Sequence, residues 1–141
     1  MTIHIIDCSV QPMIPDGWRI NPKDQIASRV SGELIWTPEQ IRLHLDPAQE
    51  GDGVLKGDAL QKKLDGQRVM PANVLDYLLA NPALIPPDWK EQTVSFWGTV
   101  YSGGECKLVR SLTHFNGYFW TFGFVDRSWR NTRLTTATLA R

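Results

Sequence analysis

The chain has little of what most enzymes, metalloproteins and membrane proteins depend on. Two cysteines, Cys8 and Cys106, lie toward opposite ends of 141 residues, without the short paired spacing of a zinc or redox motif. They read as reduced thiols, so neither a disulfide nor a metal site is expected. The three histidines, His4, His44 and His114, are scattered, and none has a sequence neighbour that marks a nucleophile and its base. Gly-x-Ser-x-Gly, the phosphate-binding loop and a Gly-x-Gly-x-x-Gly turn are all missing. Acids such as Asp65, Asp76, Asp88 and Asp126 fall at helix surfaces, loops or element ends, where solvation or capping accounts for them. No catalytic residue, metal or cofactor is therefore expected, and a small hydrolase is the least favoured class.

Charge of one sign is missing too. Fifteen Lys plus Arg balance fifteen Asp plus Glu, so no overall field draws the chain to nucleic acid or acidic lipid. No apolar run approaches the ~18 residues of a membrane span, and the opening MTIHIIDCSVQP lacks the basic region and apolar stretch of a secretory signal. These features point to a cytoplasmic protein with no membrane partner. The acidic stretch 46–53, DPAQEGDG, fails as a calcium loop because Ala48 and Gly57 stand where an EF-hand needs oxygen ligands.

What the chain does have is aromatic rings gathered in one place. All five phenylalanines lie between Ser95 and Val125, together with Trp97, Tyr101, Tyr118 and Trp120. Rings occur at both parities there, whereas a sheet with one buried face needs apolar residues at alternate positions only. Either protein covers both faces or one face holds something.

Around this stretch the chain reads as one α+β domain over 1–141. Residues 1–32 form a loop-rich arm with Pro12 and Pro15, pinned by Met13, Ile14 and Trp18. Short strands are expected at 3–6 and 33–36. Thr37 as N-cap, Pro38 at the first helical position and Gln40 three after the cap predict a helix that ends at Pro47. A second helix starts at Asp58 and ends before Gly66, with Leu60 and Leu64 inward. A third runs from Pro71 or Asn73 to Ala80 on a Val74, Leu75, Leu78, Leu79 stripe. Residues 93–126 are expected to form a three-stranded antiparallel meander packed on these helices, followed by a basic tail over 127–141.

Turn chemistry then predicts a register. Two-residue loops at Gly103-Gly104 and Asn116-Gly117 would pair Trp97 and Gly123 with Arg110. Val94, Phe96, Val100, Val109, Tyr118, Trp120, Phe122 and Phe124 would face the core, and Trp97, Tyr101, Arg110 and His114 the opposite, mixed side. Such a face suits a non-enzymatic binding protein: Trp97 and Tyr101 would stack a planar ligand while Arg110 and His114 meet its anionic part. The structural reading of the Trp97–Arg110 pair is that it seals a half-exposed sheet under the N-terminal arm, and a flat aromatic face also suits a protein partner or a homodimer. The alternative is nucleic-acid binding through Arg127, Arg130 and Arg133 in the basic tail.

The stretch 73–90, NVLDYLLANPALIPPDWK, followed by FWGTVY at 96–101 and Val109-Arg110, resembles a group of small uncharacterised bacterial proteins. The likeness covers roughly residues 54–126. It implies a bacterial, stand-alone protein and brings no activity or ligand.

Overall fold

The computed structural model describes residues 2–51 and 54–140. Its strands are β1 (Ile5–Asp7), β2 (Trp18–Ile20), β3 (Glu33–Ile35), β4 (Ile41–His44), β5 (Thr93–Ser95), β6 (Tyr101–Gly103), β7 (Cys106–His114), β8 (Tyr118–Phe124) and β9 (Leu134–Leu139). The α-helices are α1 (Gly57–Lys63) and α2 (Ala72–Ala80). The fold is thus mostly β, which corrects the α+β meander expected from sequence. One sheet has seven strands in the order β2-β6-β7-β5-β9-β4, with β8 paired to β7 off that path, and a second sheet joins β1 to β3. All pairings are antiparallel except that of β5 with β9.

The first expected helix is not α-helical. Pro38–Gln40 makes a single 3-10 turn and the chain then extends as β4. Thr37 provides no side-chain cap, and Ile41 and Leu43 alternate with Arg42 and His44, the period of a strand. β9 supplies the partner, pairing Ile41 with Leu139 and Leu43 with Ala137. The expected basic tail is therefore largely an inner strand, since β9 lies between β4 and β5. Of the acidic stretch 46–53, Asp52 and Gly53 lie outside the described residues. Asp46 and Gln49 there form a capping box over the 3-10 turn Pro47–Gln49.

Both hairpins depart from the expected register, the first by a one-position shift of a two-residue loop and the second by one added loop residue. Gly103 pairs with Cys106 and Tyr101 with Leu108, so the first loop is Gly104-Glu105, with Gly104 at φ 58°. That slip moves each partner by two positions and keeps the faces. The second loop has three residues, Phe115-Asn116-Gly117, because His114 pairs with Tyr118. Asn116 at φ 55° and Gly117 at φ 126° turn the chain. One extra residue turns every β8 side chain to the other face. Arg110 consequently pairs with Phe122 rather than Gly123, and Gly123 pairs with Val109.

A further break separates β5 from β6. Val94 pairs with Leu112 and Tyr101 with Leu108; Phe96 N–H still donates to the Arg110 carbonyl at 3.0 Å, and the chain then leaves the sheet until Tyr101. There Gly98 N–H donates to the Met70 carbonyl at 2.9 Å, and a Cβ on Gly98 would stand 2.5 Å from the Met70 and Pro71 backbone. The Thr99 hydroxyl accepts from Ala72 N–H at 2.9 Å, which ties the break to the start of α2.

Protein covers both faces, and this accounts for rings at both parities. On one side Val74, Leu75 and Leu78 of α2 pack with Val94, Leu112 and Ala137 of the sheet and with Ile6, Leu34 and Trp36. On the other, Leu60 and Leu64 join Val69, Trp97, Val109 and Trp129. The N-terminal arm closes a third cluster, with Ile14, Trp18 and Ile20 against Tyr101 and Leu108.

Candidate functional site

The four residues expected to form an open ligand face are not gathered on one. Trp97 is 0% exposed, Tyr101 0% and Arg110 1%, and His114 is half-buried at the end of β7. Trp97 does not neighbour Arg110 across strands, because it lies in the break between β5 and β6. Its ring sits 4.9 Å from that of Trp129, within the cluster under α1. Arg110 lies on the other face. Its Nη1 donates to Asp76 Oδ1 at 2.8 Å, and its Cζ is 4.6 Å from the centroid of the Trp120 ring.

The arm is strapped over this pair through one residue. Met13 N–H donates to Asp76 Oδ2 and the Tyr101 hydroxyl donates to the Met13 carbonyl, each at 2.8 Å. Burial raises the Tyr101 hydroxyl pKa, an effect partly offset by Arg110. Trp18 adds a ring to the cover, 5.4 Å from Tyr101 and 5.8 Å from Trp120. Arg110, Tyr101 and Trp97 hold the fold together and present nothing to a ligand. His114 stacks edge-on with Tyr118 at 4.7 Å.

The three arginines of the alternative reading are all exposed. Arg130 Nη1 donates to the Gly51 carbonyl at 2.8 Å, and the Arg127 Cζ lies 5.7 Å from the Phe124 ring centroid. Arg133 precedes β9 directly, where its carbonyl accepts from Thr93 N–H. Cys8 is half-buried, and burial, with the neighbouring Asp7, pushes its thiol up to about 11. Among the described residues no cluster of His, Cys, Asp and Glu could hold a metal, and no helix is long and apolar enough to cross a membrane.

The surface that stands open is β8. Among the described residues it pairs only with β7, which leaves the other edge of the strand without a strand partner there. Val125 N–H donates to the Lys107 carbonyl. By antiparallel alternation the odd residues of β8 bond inward, and Tyr118, Trp120 and Phe122 direct their N–H and C=O groups outward. Natural edges are usually guarded by Lys, Pro or a bulge. YFWTFGF has no charge and no proline, and its seven residues pair without interruption. It also exposes Phe119 (46%) and Phe122 (45%), with Phe115 (76%) on the adjoining turn.

Beside this edge lies a groove of about 290 Å³ whose lining includes Thr121, Phe122, Gly123, Phe124, Arg127 and Trp129. Gly123 makes it possible: a Cβ there would meet the Trp129 indole at 2.7 Å, so only glycine lets the ring lie against the strand. Trp129 is then a fixed wall. Its Nε1 donates to the Phe124 carbonyl at 2.9 Å, its N–H to the Leu55 carbonyl at 2.7 Å, and its carbonyl accepts from Gln49 Nε2 at 2.9 Å. Arg127 brings the only full charge among the residues lining the groove.

Sequence reasoning placed Phe122 and Phe124 in the core and missed this groove. The available signal was Gly123 between two rings, with a tryptophan a few residues beyond. Comparisons with protein-family models, curated proteins and solved structures return no match for this chain.

Proposed function

We propose that this is a non-enzymatic binding protein whose working surface is the aromatic groove beside β8, which takes one flat aromatic group. The observation that carries the reading is the fixed Trp129 wall over Gly123, with Arg127 as the cation of the lining. Groups of this kind gain from edge-on and offset contacts with the Trp129 ring, and Arg127 favours a ligand with a negative charge near its ring. The site differs from the sequence expectation in its residues: one aromatic wall, Trp129, and one arginine, Arg127, both beyond the end of β8.

Anilinonaphthalene sulfonate, a flat aromatic anion, is a direct probe. At low micromolar protein it should bind the folded chain at one site, and Arg127→Glu should weaken that binding about tenfold or more, equivalent to ~1.4 kcal/mol. Near-UV circular dichroism should show the variant folded, since Arg127 is exposed. Native-state binding that Arg127→Glu leaves unchanged would remove the groove as the site.

A further inference from the structure

Resting on the groove reading above, we propose that the aromatic group is supplied by a second copy of this chain, through two-fold antiparallel pairing of β8 with β8 of the copy. A two-fold contact demands a self-complementary surface, and this strand is one. With the axis at Thr121, Trp120 stands opposite Phe122 of the copy, Tyr118 opposite Phe124, and Phe119 opposite Gly123. Trp120 and Phe122 are outward-bonding positions, so their two symmetry-related pairs exchange four backbone hydrogen bonds.

Side chains directly opposite in a sheet share a face. Each Phe119 is therefore delivered to the face of the copy's β8 on which the Trp129 ring covers Gly123, beside the groove. Charge agrees with this partner. The seven facing residues carry none, so no like charges meet along the strand. Extending the register past the strand ends brings the exposed Phe115 turn of one copy toward Arg127 of the other, a cation facing a ring.

The contact joins two seven-stranded sheets into one. Exposed parts of the three phenyl rings offer roughly 300 Å² per protomer, taking ~200 Å² for a whole ring. With the backbone edge added, this approaches the lower end of specific interfaces, so a reversible dimer is expected.

Sedimentation velocity from about 5 to 500 µM should show a monomer–dimer equilibrium, and Phe119→Lys should weaken it by ~100-fold or more, because each dimer loses two rings. That variant should still bind anilinonaphthalene sulfonate, since Phe119 does not line the groove. Thr121→Cys gives a positive test. At the axis the two residues form a close, non-hydrogen-bonded pair with Cα atoms ~4.5 Å apart, within disulfide reach. Mild oxidation should cross-link Thr121→Cys faster than the native chain with its own two cysteines. A wild-type monomer at every concentration that still binds the dye would overturn the dimer and leave the groove reading standing. A dimer untouched by Phe119→Lys, or an uncross-linked Thr121→Cys, would also overturn it. Dye binding absent from every form would instead sink the groove reading.

Discussion

Arg110 shows how a residue suited to ligand binding becomes a structural one. Its guanidinium is 1% exposed and meets one carboxylate, Asp76, at 2.8 Å. Its Nε and Nη2 have no hydrogen-bond partner among the described residues, and the Trp120 ring lies against the group. A buried charge held by a single carboxylate is more sensitive to losing that partner than to being replaced itself. Asp76→Ala strands the guanidinium and also leaves Met13 N–H without its acceptor. It should lower unfolding free energy by about 3 kcal/mol, the lower end for a broken buried pair because the Asp76 side chain is 29% exposed. Arg110→Met keeps the apolar stem against Trp120 and leaves Asp76 with Met13 and water, so its loss should be clearly smaller. Urea midpoints of the two variants provide the check. A larger loss for Arg110→Met than for Asp76→Ala would mean that the pair does not anchor the arm.

At the scale of elements, the break between β5 and β6 decides where the rings go. Gly98 passes so close to the Met70–Pro71 backbone that Gly98→Ala must displace main chain at the start of α2. Overpacking of this kind costs about 1–3 kcal/mol, and with backbone as the obstacle the upper end is expected. Gly104→Ala, in open space at φ 58°, should cost about 1 kcal/mol. Thermal melts of both variants measure the order, and the reverse order would show that the break is held elsewhere. α1 and α2 were legible because leucine stripes and flanking Gly and Pro act locally. The break was not, since its cause is Met70, a residue distant in sequence that lies within hydrogen-bonding reach of Gly98. The faces of β8 were misread for a smaller reason: Asn116-Gly117 closes a two-residue or a three-residue loop, and that one residue moves Phe122 from the Val109 face to the Arg110 face. The gathering of rings was thus readable, while the face each ring of β8 takes depended on that single step of register.

For the molecule as a whole, the decisive strand is the last. LTTATL lacks the apolar alternation that announces a strand and follows a run rich in arginine, so from sequence it passes for a basic tail. Among the described residues it is nevertheless the only strand partner of β4 and the parallel partner of β5. Its Ala137 carbonyl accepts from Met70 N–H, and its Leu139 N–H donates to the Arg68 carbonyl. Thr135, Thr136, Ala137 and Thr138 are all buried. A buried strand of threonines keeps its hydroxyls paired where it can, as Thr138 does by donating to the Arg42 carbonyl at 3.3 Å. Ending the chain after Arg133 would therefore remove an interior strand, expose the β5 edge and strip β4 of its ladder. Stabilities of single domains are only about 5–15 kcal/mol, and losing a central strand with its share of the α2-side core exceeds what such a margin tolerates. The 1–133 chain should show no cooperative thermal transition by far-UV circular dichroism at temperatures where the full chain melts as a unit. A truncated chain that melts cooperatively near the full-length temperature would mean that residues 134–139 are peripheral.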